Sequence, residues 1–169
     1  MQLHLPPYTI FPVIGNANIL LREITEADMP EMADLSFYDA RPAANAAEAW
    51  VMQCRINADY ANGESIHWAI TDRATGSIVG TCGYYRGLDQ GTGELGCILK
   101  PGFRGQGYMS AALELAIGFG ITQIGLQKII AITTAQNLPA IRLLERLNFH
   151  TTARSGNDEL HYEWQRINV

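Results

Sequence analysis

The chain has 169 residues, 47% of them hydrophobic, which suits one domain with a buried core and excludes a disordered segment. Its formal net charge is −5, and its 12 Lys and Arg residues form no cluster, so a nucleic-acid backbone is excluded as partner. An acidic surface instead suits cationic substrates such as amines.

Cysteine, histidine and hydropathy patterns narrow the class further. Cys54, Cys82 and Cys97 show no paired spacing, which points to free thiols in a reducing cytoplasm. His4, His67, His150 and His161 have neither i,i+4 pairing nor a neighbouring cysteine pair, so no metal site is signalled. The chain opens without a basic stretch leading into an apolar run, and no segment reaches membrane-span length, so no membrane partner is expected. Nothing in the sequence sets the oligomeric state, and a homodimer is left open. With no internal repeat, low-complexity tract or linker, residues 1–169 read as a single domain.

The predicted elements run as follows. The first residues, to about Asn18, contain Pro6, Pro7 and Pro12 and read as irregular. Asn18 to Glu23 is a short strand. Thr25 and Asp28 resemble a capping pair for a helix from Ala27 to about Ser36. Tyr38 to Pro42 connects it to a second helix, Ala43 to about Ala61, which ends at Asn62-Gly63. Ser65 to Asp72 alternates as a strand with Ile66, Trp68 and Ile70 on one face, and Ser77 to Tyr85 returns as its hairpin partner across Ala74-Thr75-Gly76. Gly87 to Gly93 reads as a flexible loop leading to a strand from Glu94 to Lys100. After a Pro-Gly break, a long apolar helix opens near Gly105, with Leu113, Ala116, Ile117 and Gly120 on one face. Lys128 to Thr134 is a β-branched strand, and Asn137 can cap the helix that follows. Phe149 to Arg154, the turn Ser155 to Asp158, and Glu159 to Ile167 read as a closing hairpin.

The stretch from Glu94 to Ser110 organises the rest. A strand feeding a glycine-spaced turn at a helix start leaves backbone N–H groups unpaired beside the positive end of the helix dipole, and that combination binds phosphate. Arg104, Gly105, Gln106, Gly107, Tyr108, Met109 and Ser110 are the candidate residues. Gly105 and Gly107 let the backbone approach an anion closely, and Arg104 adds charge. The turn is not a dinucleotide fingerprint, because Ser110 stands where the third glycine belongs. It is not a P-loop, because Tyr108-Met109 replaces Lys-Ser/Thr.

These residues carry a family resemblance. The chain resembles the GCN5-related N-acetyltransferases, and most closely the branch of ribosomal-protein alanine N-acetyltransferases. The family signature of Gln/Arg, two residues, Gly, one residue, Gly/Ala is met at Arg104 and Gly107 and departs at Met109. Asn137 to Phe149 resembles the family's Asn-led helix ending in Gly-Phe, with Asn148 in place of the glycine. Glu94 matches a strand glutamate that serves as base in some members. The resemblance covers roughly Leu20 to Trp164 and implies a mixed α/β fold. Its mostly antiparallel central sheet would have about seven strands, flanked by about four helices.

The resemblance also implies a chemistry. Acetyl-CoA would be co-substrate, its pantetheine arm lying where the Glu94 and Lys128 strands splay, beside the backbone of Cys97, Ile98 and Leu99. An amide of Ile98 or Leu99 would polarise the thioester carbonyl. Asn137 would hold the arm from the other side or cap its helix. Glu94 would accept the amine proton, directly or through a water, with His67 as runner-up base. A lysine amine is neutral only about one time in a thousand near pH 7.4, and an α-amine roughly a quarter of the time, so a base helps both. Many members carry tyrosine where Leu144 stands, and the alanine N-acetyltransferase branch often has serine where Ala140 stands. Neither hydroxyl is here. Tyr84, Tyr85 or Tyr108 can substitute, with nothing in the spacing to select one, or no acid is needed, because a thiol with a pKa of about 8.5 is already a tolerable leaving group. The implied acceptor is a protein or peptide N-terminal α-amine. The alternatives are a polyamine or amino-sugar acetyltransferase, a non-catalytic acyl-CoA-binding module and a nucleotide-binding oxidoreductase.

Overall fold

The computed structural model describes residues 2–38, 41–156 and 158–165. Ile14–Gly15 (β1) and Ile19–Arg22 (β2) come first, so a two-residue strand stands inside the segment expected to be irregular. The single helix expected from Ala27 to Ser36 is instead three short turns: 3₁₀ at Glu26–Asp28, α-helix at Met29–Met32 (α1), and 3₁₀ at Ala33–Leu35. Pro30 lacks the N–H that would continue a regular ladder back into the preceding turn. Asp28 nonetheless caps as expected, accepting from the Thr25 amide at 2.8 Å while paired with Arg22.

Phe37–Tyr38 (β3) and Arg41–Pro42 (β4) make a small ladder, and Asp39 and Ala40 between them lie outside the described residues. The next helix starts at Ala46 rather than Ala43 and runs to Ala61 (α2), because Asn45 caps it through the Glu48 amide at 2.9 Å. Ile66–Asp72 (β5), Ile78–Tyr84 (β6) and Thr92–Leu99 (β7) follow. The stretch expected as a loop thus holds a 3₁₀ turn, Leu88–Gln90, and the first residues of β7. Tyr108–Phe119 (α3), Lys128–Thr134 (β8), Leu138–Arg146 (α4), Phe149–Arg154 (β9) and Glu159–Trp164 (β10) complete the order. Of the closing hairpin as expected, Asn157, Arg166 and Ile167 lie outside the described residues.

One sheet of eight strands has the order β1-β2-β5-β6-β7-β8-β10-β9. Every pair is antiparallel except β7 with β8. Alternation along β5 and β6 sends Ile66, Trp68, Ile70, Cys82 and Tyr84 to a core shared with Ala112, Leu113 and Ala116 of α3. Ala69 and Ile78 face the other way, into a second cluster with Met29, Met32, Leu35 and Ala49 from the α1–α2 side. The sheet is therefore covered on both faces, which is why its central strands read as nearly continuous apolar runs.

The parallel pair is short. β7 and β8 register only at Thr92–Lys128, Gly93–Ile129 and Glu94–Ile130. Beyond Glu94 they part: β7 stays with β6 as far as Leu99, and β8 stays with β10 as far as Thr134. Glu94 exchanges bonds with Tyr85 and Arg86 (3.0 and 3.1 Å), and the Lys100 amide donates to Val79 at 2.8 Å. The alternation of an antiparallel ladder then turns Gly96 and Ile98 toward β6 and the backbone groups of Leu95, Cys97 and Leu99 into the gap.

Tyr84 is fully buried and donates its hydroxyl to the Ala116 carbonyl of α3 at 2.9 Å. Removing it by Tyr84→Phe should lower unfolding stability by about 1 kcal/mol in urea titrations. Acetyl-transfer activity should stay unchanged, since the hydroxyl is committed to the core.

Candidate active site

Gly105 and Gly107 hold φ of 73° and 85°. Because both are left-handed, α3 begins only at Tyr108, three residues later than the glycine spacing suggested. The backbone amides of residues 105–110 make no hydrogen bond among the described residues. A Cβ at either glycine would meet nothing within 4 Å, so the turn stands open on the side that faces a cavity of about 550 Å³.

That cavity is lined by Cys97, Ile98, Leu99, Arg104, Gly105, Gly107, Tyr108, Met109, Ser110 and Asn137, all expected from sequence. Gln106 is the exception: its side chain turns back and donates to the Gly102 carbonyl at 2.9 Å. Pro139, Ala140, Arg142, Leu143 and Arg146 of α4 form the facing wall. Arg142 and Arg146 went unnoticed in the sequence, although their i,i+4 spacing on the Asn-led helix was the available signal. With Arg104 they put three guanidinium groups around a nest of free amides. That donor set fits a diphosphate-bearing ligand such as acetyl-CoA.

Asn137 accepts from the Ala140 amide at 3.3 Å through Oδ1. Its cap therefore uses the oxygen and leaves the Nδ2 donor, so capping does not prevent contact with a ligand. Asn148 takes the left-handed conformation expected of the residue replacing the family glycine, with φ of 66°.

A larger cavity of about 770 Å³ lies on the α1–α2 side of β5, β6 and β7. Ser65, His67, Thr81, Tyr85 and Glu94 line it from the sheet, and Leu35, Phe37, Tyr38 and Ile56 line it opposite. Cys97 and Ile98 line both cavities, so the two meet where β7 leaves β8. Glu94 is 19% exposed and pairs with the exposed Arg86 at 3.2 Å. With Arg86 this exposed the pair is weak.

The tyrosines separate cleanly. Tyr84 is held by Ala116 in the core, and the Tyr108 hydroxyl donates to Asp72 at 2.5 Å. Tyr85 lines the larger cavity, and burial pushes its phenol far above the ordinary value, so it stays protonated. Its ring lies across Gly96, where a Cβ would come within 2.4 Å of it.

His67 is buried, stacks obliquely on Tyr85 at 5.3 Å between ring centroids, and is pushed down to a pKa of about 4 by desolvation. It is uncharged at neutral pH and, sitting two strands from β7, is poorly placed as the base.

Residues 18–150 match the family described as Acetyltransferase (GNAT) domain, and the chain belongs to that family, whose members use acetyl-CoA as co-substrate. It is an acetyl-transferring enzyme of the N-acetyltransferase class. Uncharacterized N-acetyltransferase p20 of Bacillus licheniformis is 29% identical over 136 residues, 75% of each chain. Uncharacterized N-acetyltransferase YoaA of Bacillus subtilis is 25% identical over 148 residues, 83% of this chain and 84% of that one. Among solved structures, a ribosomal-protein-S5-alanine acetyltransferase from Vibrio fischeri superposes with a TM-score of 0.75 at 16% identity, covering 93% of this chain and 98% of its own. A dodecameric spermidine N-acetyltransferase from Vibrio cholerae superposes at 0.71 with 17% identity, covering 88% and 92%. At such identities the likeness is one of fold. It shows the mixed, mainly antiparallel architecture inferred from the sequence. Among the described residues no helix is long and apolar enough to cross a membrane.

The His67 shift carries a stability consequence. Its folded pKa, about 4, lies below the ordinary 6.5, so unfolding takes up a proton between those values. The stabilisation is fully present above pH 6.5 and is lost as pH falls through about 4, a change of about 3 kcal/mol. Urea melts at pH 7 and pH 4 should show that loss in wild type and less of it in His67→Gln.

Proposed function

We propose that residues 1–169 act as one acetyltransferase domain that moves the acetyl group of acetyl-CoA directly to an amine held in the larger cavity. The observation that carries this reading is the meeting of an arginine-lined cavity at the free amides of α3 with a carboxylate-bearing cavity at Cys97–Ile98, on the unpaired edge of β7. The free amides of residues 105–110 with Arg104, Arg142 and Arg146 hold the diphosphate. The Nδ2 group of Asn137 and the exposed backbone of Cys97 and Leu99 hold the arm. Of the two amides considered as oxyanion donors, Leu99 is favoured, because that of Ile98 is turned into the β6 ladder.

Glu94 receives the amine proton, directly or through a water. Tyr85, protonated and beside Gly96, is the candidate hydrogen-bond donor to the departing thiolate, which with a thiol pKa of about 8.5 leaves without full protonation, and the other two tyrosines are engaged elsewhere. The cysteines are free, as suits work in a reducing cytoplasm.

The acceptor we favour is a protein or peptide N-terminal α-amine. The resemblance to the alanine N-acetyltransferases supports it. So does the lower pKa of α-amines, which asks less of a single carboxylate. A polyamine is the second reading, favoured by Glu64, Asp89 and Glu94 around the larger cavity.

Two experiments test the proposal. Glu94→Gln should lower kcat by about 10²–10⁴-fold at neutral pH, with a deficit that shrinks as pH rises and the amine deprotonates unaided. A uniform deficit, or none, in stopped-time thiol-release assays from pH 6 to 10 would assign Glu94 to structure. The double variant Arg142→Glu/Arg146→Glu should weaken acetyl-CoA binding by about tenfold or more in calorimetry. Unchanged affinity in the folded variant would move the diphosphate elsewhere.

A further inference from the structure

Four buried side-chain atoms among the described residues have no hydrogen-bond partner: Ser65 Oγ, Thr81 Oγ1 and both nitrogens of His67. All three residues line the larger cavity, although they are only 2%, 0% and 8% exposed. Buried polar groups left unpaired are costly, and native chains satisfy nearly all of theirs. Three orphans in one cavity mean that their partners come from what occupies it.

Their chemistry states what that partner must offer. Neutral His67 presents one N–H and one lone pair, and each hydroxyl both donates and accepts. The set complements uncharged groups that also donate and accept, such as a peptide amide. A methylene chain would leave all four atoms orphaned.

Register gives the spacing. His67 stands opposite Gly83, which stands opposite Gly96, and Thr81 stands opposite Ile98. Thr81 is thus one strand from β7 and His67 two, or about 5 and 10 Å from the edge where transfer occurs. Amides recur about every 3.4 Å along an extended chain, so a peptide leading away from β7 offers them at both distances. The facing wall sets the apolar Leu35, Phe37 and Ile56 beside Tyr38 and Asp59. Leu35, Phe37 and Ile56 offer apolar surface to the side chains of such a peptide.

Resting on the reading of the larger cavity as the acceptor site, we propose that His67, with Ser65 and Thr81, recognises the backbone amides of the first two or three residues of a peptide acceptor. His67 is a specificity residue that acts through hydrogen bonds and takes no part in proton transfer.

The test compares wild type, His67→Leu and His67→Gln at saturating acetyl-CoA on an N-terminal Ala tripeptide amide, a length-matched alkyl diamine and glucosamine. Wild type should prefer the tripeptide. His67→Leu should cut the ratio of tripeptide to diamine kcat/KM by about tenfold through KM, and His67→Gln should recover most of it. A ratio unchanged in His67→Leu, or wild-type preference for the diamine or the sugar, overturns the proposal. A readout independent of turnover is the imidazole NMR signal of His67 in CoA-loaded wild type titrated with the N-acetylated tripeptide amide. Movement of that signal supports the recognition role even if no acceptor is turned over, which would defeat the transfer reading alone. A silent signal with demonstrated peptide binding overturns the recognition role and leaves the transfer reading standing.

Discussion

The parting of β7 from β8 is the constraint on which the site depends. Two parallel strands that register over three residues and then diverge leave backbone donors and acceptors facing an opening. Each strand is held away from the other by a stronger antiparallel partner, β6 on one side and β10 on the other. The gap is therefore built into the sheet and does not depend on a mobile loop. Backbone groups exposed there need partners from water or ligand. A ligand able to pair like a strand meets Cys97 and Leu99 first. The two cavities are joined at that edge, so what fills one can meet what fills the other without crossing the core.

Charge is sorted across the same edge. Arg104, Arg142 and Arg146 stand on the side of the free α3 amides. Asp59, Glu64, Asp89 and Glu94 stand on the other side, with Arg86 beside them. On a chain of net charge −5 this separation creates a local cationic patch inside an acidic surround. Such a patch concentrates a polyanion at the turn while amines gather at the opposite mouth. The same sorting leaves Glu94 away from the arginine cluster.

Much of this was legible in the sequence because it rests on local rules. The turn at Gly105 and Gly107, the Asn137 cap and the left-handed Asn148 follow from what those residues permit near a helix end. The hairpin of β5 and β6 follows from alternation. Helix starts were misplaced where local detail overrides pattern: Pro30 divides the first helix, Asn45 delays the second, and two left-handed glycines delay α3. Arg142 and Arg146 escaped notice because exposed arginines on a helix look alike until a facing wall is known. Ser65 and Thr81 escaped because a small polar residue in a buried strand carries no local signal, and only the register shows that its neighbours leave it unpaired. Selection among Tyr84, Tyr85 and Tyr108 needed the partners of each hydroxyl, which are separated from the tyrosines by more than thirty residues in two cases.

The missing hydroxyls on α4 also find a physical explanation. Leu144 is buried among the core residues around α3 and β8. A tyrosine there would have to displace packed neighbours or direct its phenol out of the core, and overpacking of that kind is destabilising. Ala140 lies at the cavity wall beside the Asn137 cap and carries no hydroxyl. The sheet carries a tyrosine of its own nearby. Gly96 removes the side chain that would hold Tyr85 upright, so the ring lies flat across β7. Burial then keeps its phenol protonated throughout the working pH range. The phenol beside Gly96 thus stands on the wall of the larger cavity, across β7 from the helix that lacks a hydroxyl.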